Sequence, residues 1–127
     1  MNVQIAALCD SAAYYNGKLC VMGTFDTIVT RQFPTVHPYC SLALRIVFSG
    51  EDEGQHQISV ALIDEDGRSL LPKIEGNVNI RMPQNMYFTT VNPVFNLAGV
   101  MKFEKPVKCQ RQRIPRNRIL AMKPFYL

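Results

Sequence analysis

Several things this sequence lacks narrow its reading at once. No stretch approaches the roughly 20 apolar residues that a bilayer-crossing helix needs, so no membrane partner is expected. No segment carries an apolar stripe at the 3.6-residue period over a helical length. The four cysteines, Cys9, Cys20, Cys40 and Cys109, stand 11, 20 and 69 positions apart, so there is no Cys-x-x-Cys pair of the kind that announces a zinc or redox site. There is no Gly-x-Ser-x-Gly elbow and no EF-hand loop. Histidine occurs only at His37 and His56. No internal repeat and no linker interrupts the chain.

What is present is strand. In "CSLALRIVF" (40–48), Leu42, Leu44, Ile46 and Phe48 alternate with Ser41 and Arg45, and "QHQISVALID" (55–64) alternates Ile58, Val60 and Leu62 with polar residues. A period of two marks a half-buried strand, and these six aliphatic residues, Leu42, Leu44, Ile46, Ile58, Val60 and Leu62, are predicted core. "KLCVMGTFDTIVT" (18–30) and "NMYFTTVNPVFNL" (85–97) are rich in β-branched and aromatic residues; Gly23 and Pro93 within them point to bulges or edge positions. Asn16-Gly17 in "YNGK" is a hairpin signal. "SGEDEG" (49–54), "DEDGR" (64–68) and "RMPQN" (81–85) read as further turns.

The pattern predicts an all-β fold: a single-domain antiparallel β-sandwich of about 7–8 strands spanning residues 1–127. Strands are expected near 3–9, 19–30, 41–48, 56–63, 69–80, 86–97 and 118–126. At 127 residues and 47% hydrophobic content, one real core is within reach. The N-terminal "MNVQIAALCDSAAYY" lacks a basic stretch, and Gln4 and Asp10 interrupt its short apolar run, so it reads as a first strand of a cytoplasmic protein. Reduced, mostly buried thiols fit the same compartment.

Charge is unevenly distributed. Residues 1–99 hold 6 Lys/Arg and 9 Asp/Glu, a net of −3, whereas residues 100–127 hold 8 Lys/Arg and 1 Glu, a net of +7. The sequence pI near 9.0 is therefore set by the last quarter of the chain.

Taken together, "LCDSAAYYNGKLCVMGTFDTI", "FPTVHP", "LALRIVF", "IDEDGRSL" and "FNLAGVMKFEKP" resemble an uncharacterised family of small bacterial proteins, a domain of unknown function whose members carry Leu-Cys-Asp, Asn-Gly-Lys and Gly-x-Phe-Asp motifs. The resemblance runs over residues 1–106. It implies a compact β-sandwich and brings no activity, substrate or catalytic residue with it. Past "FEKP" (103–106) the resemblance implies a glycine and then a strand of alternating aliphatics. "VKCQRQRIPR" (107–116) stands there instead. Neither of its faces is apolar, so it cannot be a central strand. It is either an exposed edge strand, where positive charge discourages aggregation, or the product of two compensating frameshifts.

Candidate sites follow from the same residues. His37 and Cys40 in "TVHPYC" are chemically able to ligate zinc or to form a nucleophilic pair. They supply two donors at most, however, and Pro34 and Pro38 suggest a rigid crossover loop with the imidazole hydrogen-bonded to backbone. Asp10 is expected in an Asx turn and Asp26 in a strand beside Phe25 and Ile28. The carboxylates at 51–53 and 64–66 read as solvated turns rather than a calcium site. Lys108, Arg111, Arg113, Arg116 and Arg118 form a cationic footprint available to an acidic partner or to nucleic acid. The expectation is a non-catalytic interaction module, with no cofactor and no bound metal, that meets a protein partner or its own copy. Nucleic-acid contact through the basic segment is one alternative. A metal- or thiol-dependent hydrolase around His37 and Cys40 is the other.

Overall fold

The computed structural model describes residues 1–63, 67–105 and the backbone of 121–122. Strands dominate: β1 (Asn2–Tyr15), β2 (Lys18–Phe25), β3 (Thr35–Ser49), β4 (Gly54–Leu62), β5 (Ile74–Ile80), β6 (Phe88–Val91), β7 (Val94–Phe103) and β8 (Ala121–Met122). One short 3-10 turn, Gly50–Asp52, lies between β3 and β4. The larger sheet runs β2-β1-β3-β6, with β7 also pairing β3. The smaller runs β5-β4-β8. All pairings are antiparallel except β4 with β8, which is parallel at Ala61↔Ala121 and Leu62↔Met122.

The all-β, sandwich-like fold matches the expectation, and the alternation in β3 explains why. Cys40, Leu42, Leu44, Ile46 and Phe48 all point inward and are buried. They meet Ile58, Val60, Leu62 and Ile80 of the smaller sheet in one apolar cluster completed by Leu8, Ile28, Leu71, Leu97, Met101 and Phe103. The six predicted core residues are all in it. Each such side chain contributes roughly 1.5–3 kcal/mol when removed from water.

Strand ends differ from the sequence reading, and pairing explains the differences. β3 starts at Thr35 rather than 41, because β7 offers partners along Thr35↔Phe103, Val36↔Lys102 and His37↔Met101. "TVHP" is therefore strand, not a crossover loop, and Pro38 occupies the irregularity between His37 and Tyr39 where the register shifts. β1 runs on to Tyr15 and β2 stops at Phe25, so Asp10 lies mid-strand rather than in a turn, and Asp26 lies past the strand end. The 69–80 run is a strand only from Ile74; before it, Ser69 bridges Ile63 and the Leu70 N–H donates to the Leu62 carbonyl at 2.7 Å. The 86–97 run divides at Asn92-Pro93 into β6 and β7, both on the same edge of β3. Proline cannot donate to the ladder, and there the Leu44 N–H donates to the Pro93 carbonyl at 3.0 Å. Of the strand expected at 118–126, only 121–122 fall within the described residues.

The expected turns are present where they can be described. Asn16 and Gly17 take φ of 46° and 76°, the two positive values that a tight hairpin loop demands. The acidic turn at 51–53 serves the fold: Asp52 accepts from the Met1 ammonium, the Ser49 N–H and the Ser49 hydroxyl, and Glu53 accepts from the Met82 N–H at 3.2 Å. The hydrogen bond from the chain's ammonium, followed by that from the Ser49 N–H, holds the Asp52 carboxyl down at about 2. The carboxylates at 64–66 lie outside the described residues.

Candidate interaction edge

β1 and β2 form a hairpin of which only the first part is supported by β3. The β1–β3 register ends at Cys9↔Ser41, whereas the β1–β2 register continues to Tyr15↔Lys18. Beyond Cys9 the hairpin is thus a two-stranded arm. Apolar side chains lie on both faces: Ala12, Tyr14, Leu19 and Val21 on one, and Ala13, Tyr15, Cys20 and Met22, with Ser11 and Lys18 among them, on the other. Tyr14, Tyr15 and Met22 are 61%, 67% and 67% exposed. Two-stranded hairpins are marginal on their own in water, so this arm carries apolar surface that the described residues leave uncovered.

Among the described residues only β1 pairs with β2, which leaves the outer side of β2 an open sheet edge there. The two-residue loop makes Tyr15 and Lys18 a hydrogen-bonded pair. Alternation then directs the backbone groups of Lys18, Cys20, Met22 and Thr24 toward β1, and those of Leu19, Val21, Gly23 and Phe25 toward the open side. Natural edges are usually blunted by charge, proline or brevity. β2 spans eight residues, "KLCVMGTF", with no charge after Lys18 and no proline. By contrast, β5 carries Glu75, Asn77 and Asn79, and β6 is only four residues long. β6 shares its edge of β3 with the ten-residue β7, which is separated from it at Asn92-Pro93 and carries Lys102, and the exposed Met86, Tyr87 and Phe88 lie beside it.

Gly23 shapes the base of the arm. Its φ is 66°, a value that side-chain-bearing residues rarely take. A Cβ there would lie 2.8 Å from the Asp10 Cγ, with Oδ2 nearer still. The Asp10 side chain therefore lies across the glycine of the neighbouring strand, so Leu-Cys-Asp and Gly-x-Phe-Asp meet at one point.

His37 and Cys40 are close in the chain but do not form a catalytic pair. The Cys40 thiol is fully buried and donates to the Met101 sulfur at 3.3 Å. Burial, reinforced by Cys9 and Asp10, pushes it up to about 11, so it is a thiol and not a nucleophilic thiolate. The expected imidazole-to-backbone bond of His37 is absent among the described residues. Its Nε2 is buried with no hydrogen-bond partner, and its ring packs on Phe25 with centroids 5.4 Å apart. Among the described residues no three His, Cys, Asp or Glu side chains converge. His56 instead pairs its Nε2 with the Asp52 carbonyl at 2.6 Å. Cys9, Cys20 and Cys40 are free, and burial raises the Cys9 thiol too. The five basic candidates, Lys108, Arg111, Arg113, Arg116 and Arg118, lie outside the described residues.

Two further features have structural explanations. On the outer face of the larger sheet the buried Ser41 hydroxyl donates to Asn96 Oδ1 at 2.9 Å, and Tyr39 donates to the same oxygen at 3.2 Å. Arg45 ties Gln4 to Asn92 at 3.1 and 3.2 Å. These bonds satisfy polar groups across three strands. Between the sheets, a void of about 10 Å³ is lined by Leu8, Leu42, Val60, Leu62, Leu71 and Leu97 among others. That is room for about one water, in a lining that is almost wholly apolar.

The sequence reading found the hairpin through its Asn-Gly turn but missed the edge. The available signal was the uncharged run between Lys18 and Asp26. No helix among the described residues is long and apolar enough to cross a membrane. No curated protein and no solved structure matches the chain. Residues 4–110 match a family of unknown function, DUF6941, and with most of its length covered the chain belongs to that family.

Proposed function

We propose that this chain is a non-catalytic interaction module of a bacterial, cytoplasmic protein, and that it binds by accepting a partner's strand along β2. The β2 edge, unpaired among the described residues and without charge after Lys18, on a two-stranded arm rich in apolar side chains, carries this reading. In strand addition, open backbone groups supply affinity and alternate side chains supply specificity. The edge here offers four such residues, Leu19, Val21, Gly23 and Phe25, flanked by exposed Met22 and Cys20. The unpaired thiols of Cys9, Cys20 and Cys40 support a reducing compartment, and the resemblance to small bacterial proteins supports the source.

The test is photo-cross-linking from position 22 in living cells, with photo-methionine replacing Met22. The control is Val21→Pro. The Val21 N–H points away from β1, so proline removes an outward donor and leaves the internal ladder standing. Cross-linked protein adducts at position 22, lost in Val21→Pro at an unchanged circular dichroism spectrum, are expected. Absence of adducts, or adducts unaffected by proline, would overturn the reading.

A further inference from the structure

Resting on that reading, we infer that the strand which β2 accepts is the β2 of a second copy, paired antiparallel about a two-fold axis at Met22. Symmetry restricts the possibilities sharply. Antiparallel edge-to-edge pairing places the two-fold perpendicular to the sheet, so directly opposed residues lie on the same face in both copies. Only registers in which the two residue numbers add to an even value satisfy this. Two of these overlap β2 most fully. One centres on Val21 and sets Lys18 against Thr24. The other centres on Met22 and sets Lys18 against Asp26.

Charge chooses between them. Lys18 and Asp26, the latter one residue past β2, are the only charged residues from the tip of the arm through position 26, and both are exposed. Among the described residues Asp26 Oδ1 accepts only the neighbouring Thr27 hydroxyl at 3.1 Å, and Lys18 takes part in no ion pair. The Met22 register brings them together twice, once on each side of the axis, and opposite charges across strands favour pairing. It also matches the backbone. Leu19 faces Phe25 and Val21 faces Gly23, all four with groups directed outward, so these are the hydrogen-bonded pairs. Met22 opposes its own copy in a non-hydrogen-bonded pair, where side chains approach closest. The result is a continuous sheet through both copies in which each two-stranded arm gains two neighbouring strands. Because both β2 edges are used, the assembly closes at two.

Sedimentation of the purified full chain tests this against concentration. A monomer–dimer equilibrium is expected. Lys18→Asp alone and Asp26→Lys alone each put like charges together twice and weaken the dimer about tenfold, on the order expected for two cross-strand pairs. The double swap Lys18→Asp/Asp26→Lys restores it. Met22→Cys in a Cys20→Ser background forms a disulfide dimer on mild oxidation, two thiols losing two electrons and two protons to the added oxidant, oxidised glutathione. A monomer at every concentration up to about 1 mM overturns the inference, as does a dimer indifferent to the charge reversals or a non-closing polymer. Position-22 adducts to other proteins, found alongside a monomeric purified chain, would sink the second copy while leaving strand addition standing. Loss of all adducts would remove both.

Discussion

A methyl group at Gly23 would have to share space with the Asp10 carboxyl, and it would do so on a backbone already at φ 66°. Both effects oppose substitution. Left-handed backbone costs a side-chain-bearing residue on the order of 1–3 kcal/mol, and the clash displaces Asp10 from the face of the hairpin. Gly23→Ala is therefore expected to lower the urea midpoint by the equivalent of about 1–3 kcal/mol. Asp10→Ala in the same chain removes the clash but not the backbone cost, so the double variant recovers only part of the loss. Wild-type stability in Gly23→Ala would show that the strand relaxes freely at this point. The sequence showed a glycine within a strand-like run and a Leu-Cys-Asp motif thirteen positions earlier. It could not show that the two meet, because the hairpin register, Cys9↔Thr24 and Ser11↔Met22, is what places Asp10 opposite Gly23. The expected Asx turn at Asp10 failed for that reason: a carboxylate on a strand can lie over a neighbouring glycine as readily as it can close a turn.

Strands were legible in proportion to how one-sided their burial is. In β3 from Cys40 to Phe48 the large apolar residues Leu42, Leu44, Ile46 and Phe48 fall on one face, although Ser41 and Ala43 on the other are buried as well, and period two reads directly from its letters. Thr35 to Tyr39 was not legible, because two prolines flank the histidine and the reason for its strand form is β7, sixty residues away. The division at Asn92-Pro93 was half visible. Proline marked an irregularity, but that β6 and β7 share one edge of β3 is a property of pairing. Leu44 tests the element at its best-supported point. It is fully buried in β3, with Ala6 opposite it in β1 and the Pro93 carbonyl on its N–H. Leu44→Ala is expected to destabilise by about 2–5 kcal/mol, the loss of transfer energy plus the cavity left behind. An unchanged unfolding midpoint would show that the inward face of β3 is misassigned.

At the scale of the whole molecule, the three described thiols sit at three depths and report on different motions. Cys20 is exposed on the free β2 edge, Cys9 is buried on the outer face of the larger sheet, and Cys40 is buried between the two layers. Only thiolates react with alkylating reagents. Burial raises both Cys9 and Cys40, the latter to about 11, so each is doubly protected, by access and by protonation. Pulse alkylation of the native chain at pH 8, mapped by peptide mass, is expected to modify Cys20 at once and to leave Cys9 and Cys40 untouched. Added urea should then separate the two buried thiols from Cys20. Cys40 lies against Met101 in the shared core and reacts only when the layers part, so its labelling rate should follow the global unfolding free energy. The Cys20 rate should stay flat, because no opening is needed to reach it. If dimerisation covers the β2 edge, Cys20 labelling should also slow as protein concentration rises, with Cys40 unaffected. Native labelling of Cys40 as fast as that of Cys20 would mean that the two sheets do not close over β3, and the assignment of the core between them would fall.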